Sequence, residues 1–82
     1  MKVYAIYEGC RFEGGGVQEI YAEKEKAIKF ALMLVEQKNK RAARIHKKDE
    51  EWKFKEQEAS GIVVKCWQNP IDEIIIYEYE VK

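Results

Sequence analysis

Residues 73–81 read Glu-Ile-Ile-Ile-Tyr-Glu-Tyr-Glu-Val, and this stretch decides the fold. Ile75, Tyr77, Tyr79 and Val81 alternate with Ile74, Ile76, Glu78 and Glu80, the two-residue period of a β-strand. Working back from it, Asn69-Pro70 marks a turn, because proline has no N–H for a ladder and asparagine favours reversals. Ile62 to Gln68 reads as the strand before that turn. Further back, Trp52, Phe54 and Glu56 alternate with Lys53, Lys55 and Gln57, so Glu51 to Glu58 is expected to be a strand exposed on one face. Ala59-Ser60-Gly61 supplies the turn that follows it.

At the other end, Lys2 to Glu8 carries apolar residues in both alternating rows. Val3, Ala5 and Tyr7 form one row and Tyr4 and Ile6 the other, the pattern of a central strand with neighbours above and below. Val17 to Ala22 is a second short strand, and the two form a hairpin. From Glu23 the period changes. Ala27, Phe30, Ala31 and Leu34 recur at helical spacing, with Ile28, Leu32 and Val35 in the row beside them. These positions sweep about 200° of the helix, wider than one sheet covers, and Met33 lies outside even that sweep. A second cover for the helix is therefore expected.

The order is ββαβββ: an α+β fold with a mainly antiparallel sheet of four to five strands and one main helix on one face. With 82 residues the chain is expected to form a single domain, 1–82, with one core. The 15 basic and 15 acidic residues cancel, so no global field draws the protein to nucleic acid or membrane. No run of about 18 apolar residues is present, and the opening residues are too interrupted for a secretory signal, so a cytoplasmic protein is expected. In that setting Cys10 and Cys66 are read as reduced thiols, with a Cys10–Cys66 bridge as the minor alternative.

The triplet Gly14-Gly15-Gly16 invites a phosphate-loop reading. Such a loop needs its glycines between a strand and a helix N-terminus, usually ending in Gly-Lys-Ser/Thr, and here Gly16 leads into a strand. A hairpin loop tip is the better reading, with Arg11 and Phe12 beside it as contact residues. Cys10, His46 and Cys66 are scattered, so no metal site is expected. Cys66 falls in the same row as Ile62 and Val64, as a small core residue does, and no base is marked beside it. Glu78 and Glu80 share one strand face but read as a solvated edge. With no Ser/His/Asp order and no HExxH, no catalytic residue, no cofactor and no enzyme is expected.

One segment exceeds background. Residues 38–48 (KNKRAARIHKK) hold Lys38, Lys40, Arg41, Arg44, His46, Lys47 and Lys48 without an acid, followed at once by Asp49-Glu50-Glu51. The segment suits a solvated helix end and charged loop, a phosphate-binding patch, or a contact with an acidic protein surface.

The opening Met-Lys-Val-Tyr-Ala-Ile-Tyr-Glu-Gly, the Val-Gln-Glu-Ile-Tyr-Ala-Glu-Lys-Glu-Lys-Ala helix start and the closing strand resemble small uncharacterised proteins encoded by phages and prophages. The likeness covers roughly the first 36 residues and the last ten. It departs where Ala22-Glu23 stands in place of the group's usual Ser or Thr before the helix, and 38–68 lies outside it. The resemblance implies an accessory protein of a mobile element, some of which bind and block host defence machinery. The resulting expectation is a non-enzymatic protein that occupies a surface of a host protein or complex in the host cytoplasm. Its sharpest form is an anti-CRISPR-like inhibitor acting through residues 38–48, Arg11 and Phe12, or exposed aromatics. Nucleic-acid binding through 38–48 is the alternative, and an oligomeric sponge for a nucleotide signal a further one. The broad helix and doubly apolar first strand also lead to the expectation of a homodimer.

Overall fold

Strands apolar on both faces take the centre of a sheet, and the two ends of this chain do so together. The computed structural model describes residues 1–46 and 52–81, with His46 as backbone only. Its elements are β1 (Lys2–Cys10), β2 (Gly14–Tyr21), α1 (Lys24–His46), β3 (Lys55–Gln57), β4 (Val63–Gln68) and β5 (Asp72–Glu80). They make one antiparallel five-stranded sheet, ordered β2-β1-β5-β4-β3. β1 and β5 pair over nine residues, from Lys2 opposite Glu80 to Cys10 opposite Asp72. The fold is α+β, with the helix packed on one face of the sheet.

The core lies between that face and α1. Ile6, Ile74 and Ile76 are fully buried beneath Ala27 and Ala31, and Tyr4, Val35, Phe54 and Trp67 complete the cluster. Burial of each isoleucine contributes about 1.5–3 kcal/mol. Ala27 and Ala31, four apart, bring the helix backbone close to the central strands, and Phe30 and Leu34 flank the contact half-buried. Leu32 and Met33 therefore point outward, 48% and 44% exposed. Leu32 departs from the expected apolar row because the buried line runs Ala27-Ala31-Val35, leaving position 32 on the far side.

Two boundaries differ from expectation. The glycine triplet belongs to β2: the turn is Arg11-Phe12-Glu13, Gly14 takes a left-handed φ of 85°, and Gly15 already pairs with Gly9. A Cβ on Gly15 would collide with the Glu8 carbonyl and the Gly9 Cα, whereas one on Gly16 meets nothing within 4 Å. Gly15→Ala is thus expected to destabilise the hairpin by about 1–3 kcal/mol, while Gly16→Ala is expected to be neutral within about 0.5 kcal/mol. Thermal unfolding of the two variants checks the difference, and equal melting temperatures would refute it.

The third strand is also shorter than expected. The Phe54 N–H donates to Asn39 Oδ1 at 2.8 Å instead of entering the ladder, and Phe54 turns into the core under α1. The strand then runs only through Lys55–Gln57, opposite Gln68–Cys66. Cys10 and Cys66 are both free thiols. Cys10 lies opposite Asp72, on the row of Ile74 and Ile76, while Cys66 lies opposite Ile75. The two cysteines are on different faces with β5 between them, so the minor reading of a bridge is not realised.

Candidate protein-binding surface

Three segments far apart in sequence meet at one end of the sheet: the β1–β2 turn, the β4–β5 turn and the second half of α1. Asn69 organises the meeting. Its Oδ1 accepts from the N–H groups of Ile71 and Asp72 at 2.9 and 2.6 Å, and its Nδ2 donates to the Trp52 carbonyl at 3.3 Å. Its own carbonyl accepts from Arg11 Nη1 at 3.3 Å, while the Arg11 N–H donates to the Ile71 carbonyl at 2.7 Å. Arg11 is thereby tied to the β4–β5 turn through backbone and side chain, and the next residue, Phe12, projects 79% exposed.

The helix reaches the same end. Twenty-three residues make α1 about 35 Å long, so its basic half extends past the middle of the sheet. Lys38 Nζ meets Glu8 Oε1 at 2.6 Å, both side chains about three-quarters shielded, which fixes the helix against the end of β1. Lys38, Arg41, Ile45, Trp52, Phe54 and Ile71 then line a cleft of about 170 Å³. Arg11, Lys53, Lys55 and Gln68 surround a shallower depression on the other side of Asn69. Ile45 and Ile71 are 66% and 43% exposed, so the cations surround apolar ground.

The sequence-derived candidates thus divide. Arg11, Phe12, Lys38, Arg41 and Arg44 belong to this end of the molecule, on the β1–β2 turn and the last turns of α1. Lys40 lines neither of these clefts and is instead paired with Glu36, one turn back along α1, at 3.3 Å. The helix runs through His46, whose side chain lies outside the described residues, as do Lys47 and Lys48. Lys53, Lys55 and Ile71 join the surface without having been singled out. Their only sequence signal was proximity to turns, because the pairing that brings β3 and β4 beside Arg11 is long-range.

The titration of nearby groups follows their surroundings. Burial pushes the Cys66 thiol up, the Glu73 carboxylate adds to this, and the Arg11 guanidinium opposes it. A thiol held protonated in this way is a poor nucleophile. Burial also raises Tyr77, helped by Glu73 and by the neighbouring Tyr79 and Tyr7. At the far end Tyr4 is raised by burial and by donating its O–H to Glu78, which also lies 3.9 Å from Lys2 Nζ. Glu78 is therefore engaged in holding β5 to β1. Among the described residues no three His, Cys, Asp or Glu side chains converge as metal ligands, and no helix is long and apolar enough to cross a membrane. Comparison with protein-family models, curated proteins and solved structures finds no match to this chain.

Proposed function

We propose that the protein is a non-enzymatic binding protein that acts by occupying an acidic surface of another protein. The observation that carries this reading is the joining of Phe12, Ile45 and Ile71 with Arg11, Arg41 and Lys55 at one braced end of the fold. An exposed aromatic on a fixed turn loses little entropy on docking, and arginines beside apolar ground are the composition of interface anchors. The resemblance to phage and prophage proteins directs the proposal to host defence machinery, with a CRISPR effector as one such target.

Nucleic acid is the competing ligand for the same cations. It is disfavoured because Lys38 and Lys40 are already matched by Glu8 and Glu36, and because the chain as a whole carries no net charge to drive counterion release. The test is affinity capture from a lysate of the host cell by the intact protein, with and without nuclease, alongside Phe12→Ala and Arg41→Glu/Arg44→Glu. A discrete protein that survives nuclease and is lost with both variants is expected. Binding of labelled oligonucleotides that falls steeply with salt, with no protein retained after nuclease, would overturn the proposal.

A further inference from the structure

Among the described residues, no element covers the face of the sheet turned away from α1. Register places Val3, Ala5 and Tyr7 of β1 there, beside Ile75, Tyr77 and Tyr79 of β5, with Ile20 opposite Ala5 and Val17 opposite Tyr7 on β2. Val63 and Cys66 of β4 extend it on the other side, opposite Tyr77 and Ile75. The tyrosines form a continuous row: Tyr7 meets Tyr77 edge-on with centroids 6.4 Å apart, and Tyr77 lies 6.1 Å from Tyr79. They shield Ala5 and Ile75, yet Val17, Ile20 and Tyr79 remain 56%, 57% and 46% exposed. An antiparallel sheet with one wet face normally shows polar residues on that face. Here three of the four charges of β5 sit on the other row, at Asp72, Glu78 and Glu80; the open row carries Glu73 at its end beside the β4–β5 turn and is uncharged from Ile75 to Tyr79.

We infer that this face is a self-association surface, on which a second copy packs sheet against sheet. Size supports it. Three strands of eight or nine residues, one of six and one of three, about 4.8 Å apart and rising about 3.3 Å per residue, give a flat footprint of roughly 500 Å², and side-chain relief enlarges the accessible area beyond that. A stable pair buries about 600–800 Å² on each partner. Charge supports it as well. The open rows of β1 and β5 offer no cation to a phosphate backbone, so the tyrosines lack the electrostatic groove that base-stacking platforms require. The apolar centre of the face, bordered by Glu73 and Lys55 at one corner, needs an apolar counterpart, and this chain carries one of equal size, while its 15 basic and 15 acidic residues leave two copies without net repulsion.

The packing is isologous, with aligned sheets about 10 Å apart and the two tyrosine rows in contact. α1 stays outside, on the far face of each protomer. This surface meets the acidic-partner surface only at Lys55 and Gln68, at the β3–β4 edge, and Ile20 and Tyr79 lie outside that surface, so either assignment can fail without the other.

Light scattering coupled to size exclusion, at micromolar and hundred-micromolar concentration, tests it on the whole chain with Ile20→Glu and Tyr79→Glu as separate variants. Both positions are about half exposed, so the charge is compatible with the folded protomer. The native protein is expected at twice its 9.7 kDa mass, and each variant as a monomer with native circular dichroism and self-affinity weaker by about a hundredfold or more. Leu32→Glu/Met33→Glu, on the outer side of α1, is expected to remain a dimer. A monomeric native protein at the higher concentration would overturn the proposal. So would dimers that persist in both face variants, or a dimer abolished only by the helix variant.

Discussion

Ile76→Ala is expected to lower stability by about 2–5 kcal/mol. Ile76 is fully buried between β1 and α1, opposite Ile6 and Lys65, so removing its side chain leaves a cavity closed by helix and sheet. For 82 residues the whole stability is of the order of 4–12 kcal/mol, so one substitution removes a large part of it. Each kcal/mol corresponds to roughly 4–8 °C of melting temperature at this size. The informative control is its neighbour. Ile75 is nearly as buried, at 8% exposed, but its side chain faces the tyrosines on the uncovered side. In an isolated protomer those rings relax over the gap, so Ile75→Ala should cost less than Ile76→Ala. If a second copy covers the face, the Ile75→Ala penalty grows with protein concentration, whereas the Ile76→Ala penalty does not. Melting curves at two concentrations read both quantities. An Ile76→Ala loss below about 1 kcal/mol would contradict the placement of the core beneath α1.

The contrast between positions 75 and 76 also shows what was legible in the sequence. The alternation in 73–81 and the doubly apolar Lys2 to Glu8 identified two strands, and the helical spacing from Ala27 to Val35 identified the element that covers one face. Those signals are local, set by the two-residue and 3.6-residue periods. Which strands pair is not local. Nothing in either terminal segment specifies that β1 and β5 lie side by side, and that pairing depends on matching apolar rows across most of the chain's length. The glycine triplet was misplaced for a related reason. Consecutive glycines suggest a loop, but Gly15 is needed where two backbones approach closely across Gly9, a requirement visible only once β1 and β2 are in register.

The candidate surface divides in the same way. The density of cations in 38–48 stands out in one dimension, and Arg11-Phe12 beside glycines reads as a turn. Their convergence through Asn69 and Glu8 does not, because it rests on hydrogen bonds and an ion pair between residues 30 to 58 positions apart. The charge run also overstated the basic surface, since pairing of Lys38 and Lys40 with acids depends on where Glu8 and Glu36 sit in space. The uncovered tyrosine face was partly legible: the uncharged run Ile75, Tyr77, Tyr79 in the odd row of β5 and two apolar rows in β1 already exceed what one helix can cover.

The two tryptophans, indistinguishable in the sequence, are expected to separate sharply by experiment. Trp67 is 4% exposed and lies opposite Ile74 and Glu56 on the helix face, whereas Trp52 is half-buried at the cleft beside Arg41 and Ile71. Trp67→Ala is expected to cost about 3–5 kcal/mol, comparable with the loss of a whole core isoleucine, because the void it leaves is bounded by sheet and helix. Trp52→Ala should cost less, since its surroundings already open to solvent. The milder variants Trp52→Phe and Trp67→Phe each leave one indole to report on its environment. With only Trp67 present, emission should be blue-shifted and resistant to acrylamide; with only Trp52 present, it should be red-shifted and readily quenched. The reverse order would place Trp52 in the core and remove the cleft from the partner surface. With the expected order, the proposed docking of an acidic partner against Arg11, Phe12 and Arg41 is expected to change the emission of Trp52. Trp67, sealed beneath α1, stays silent, so a single fluorescence titration of each variant separates binding at the cleft from a rearrangement of the fold.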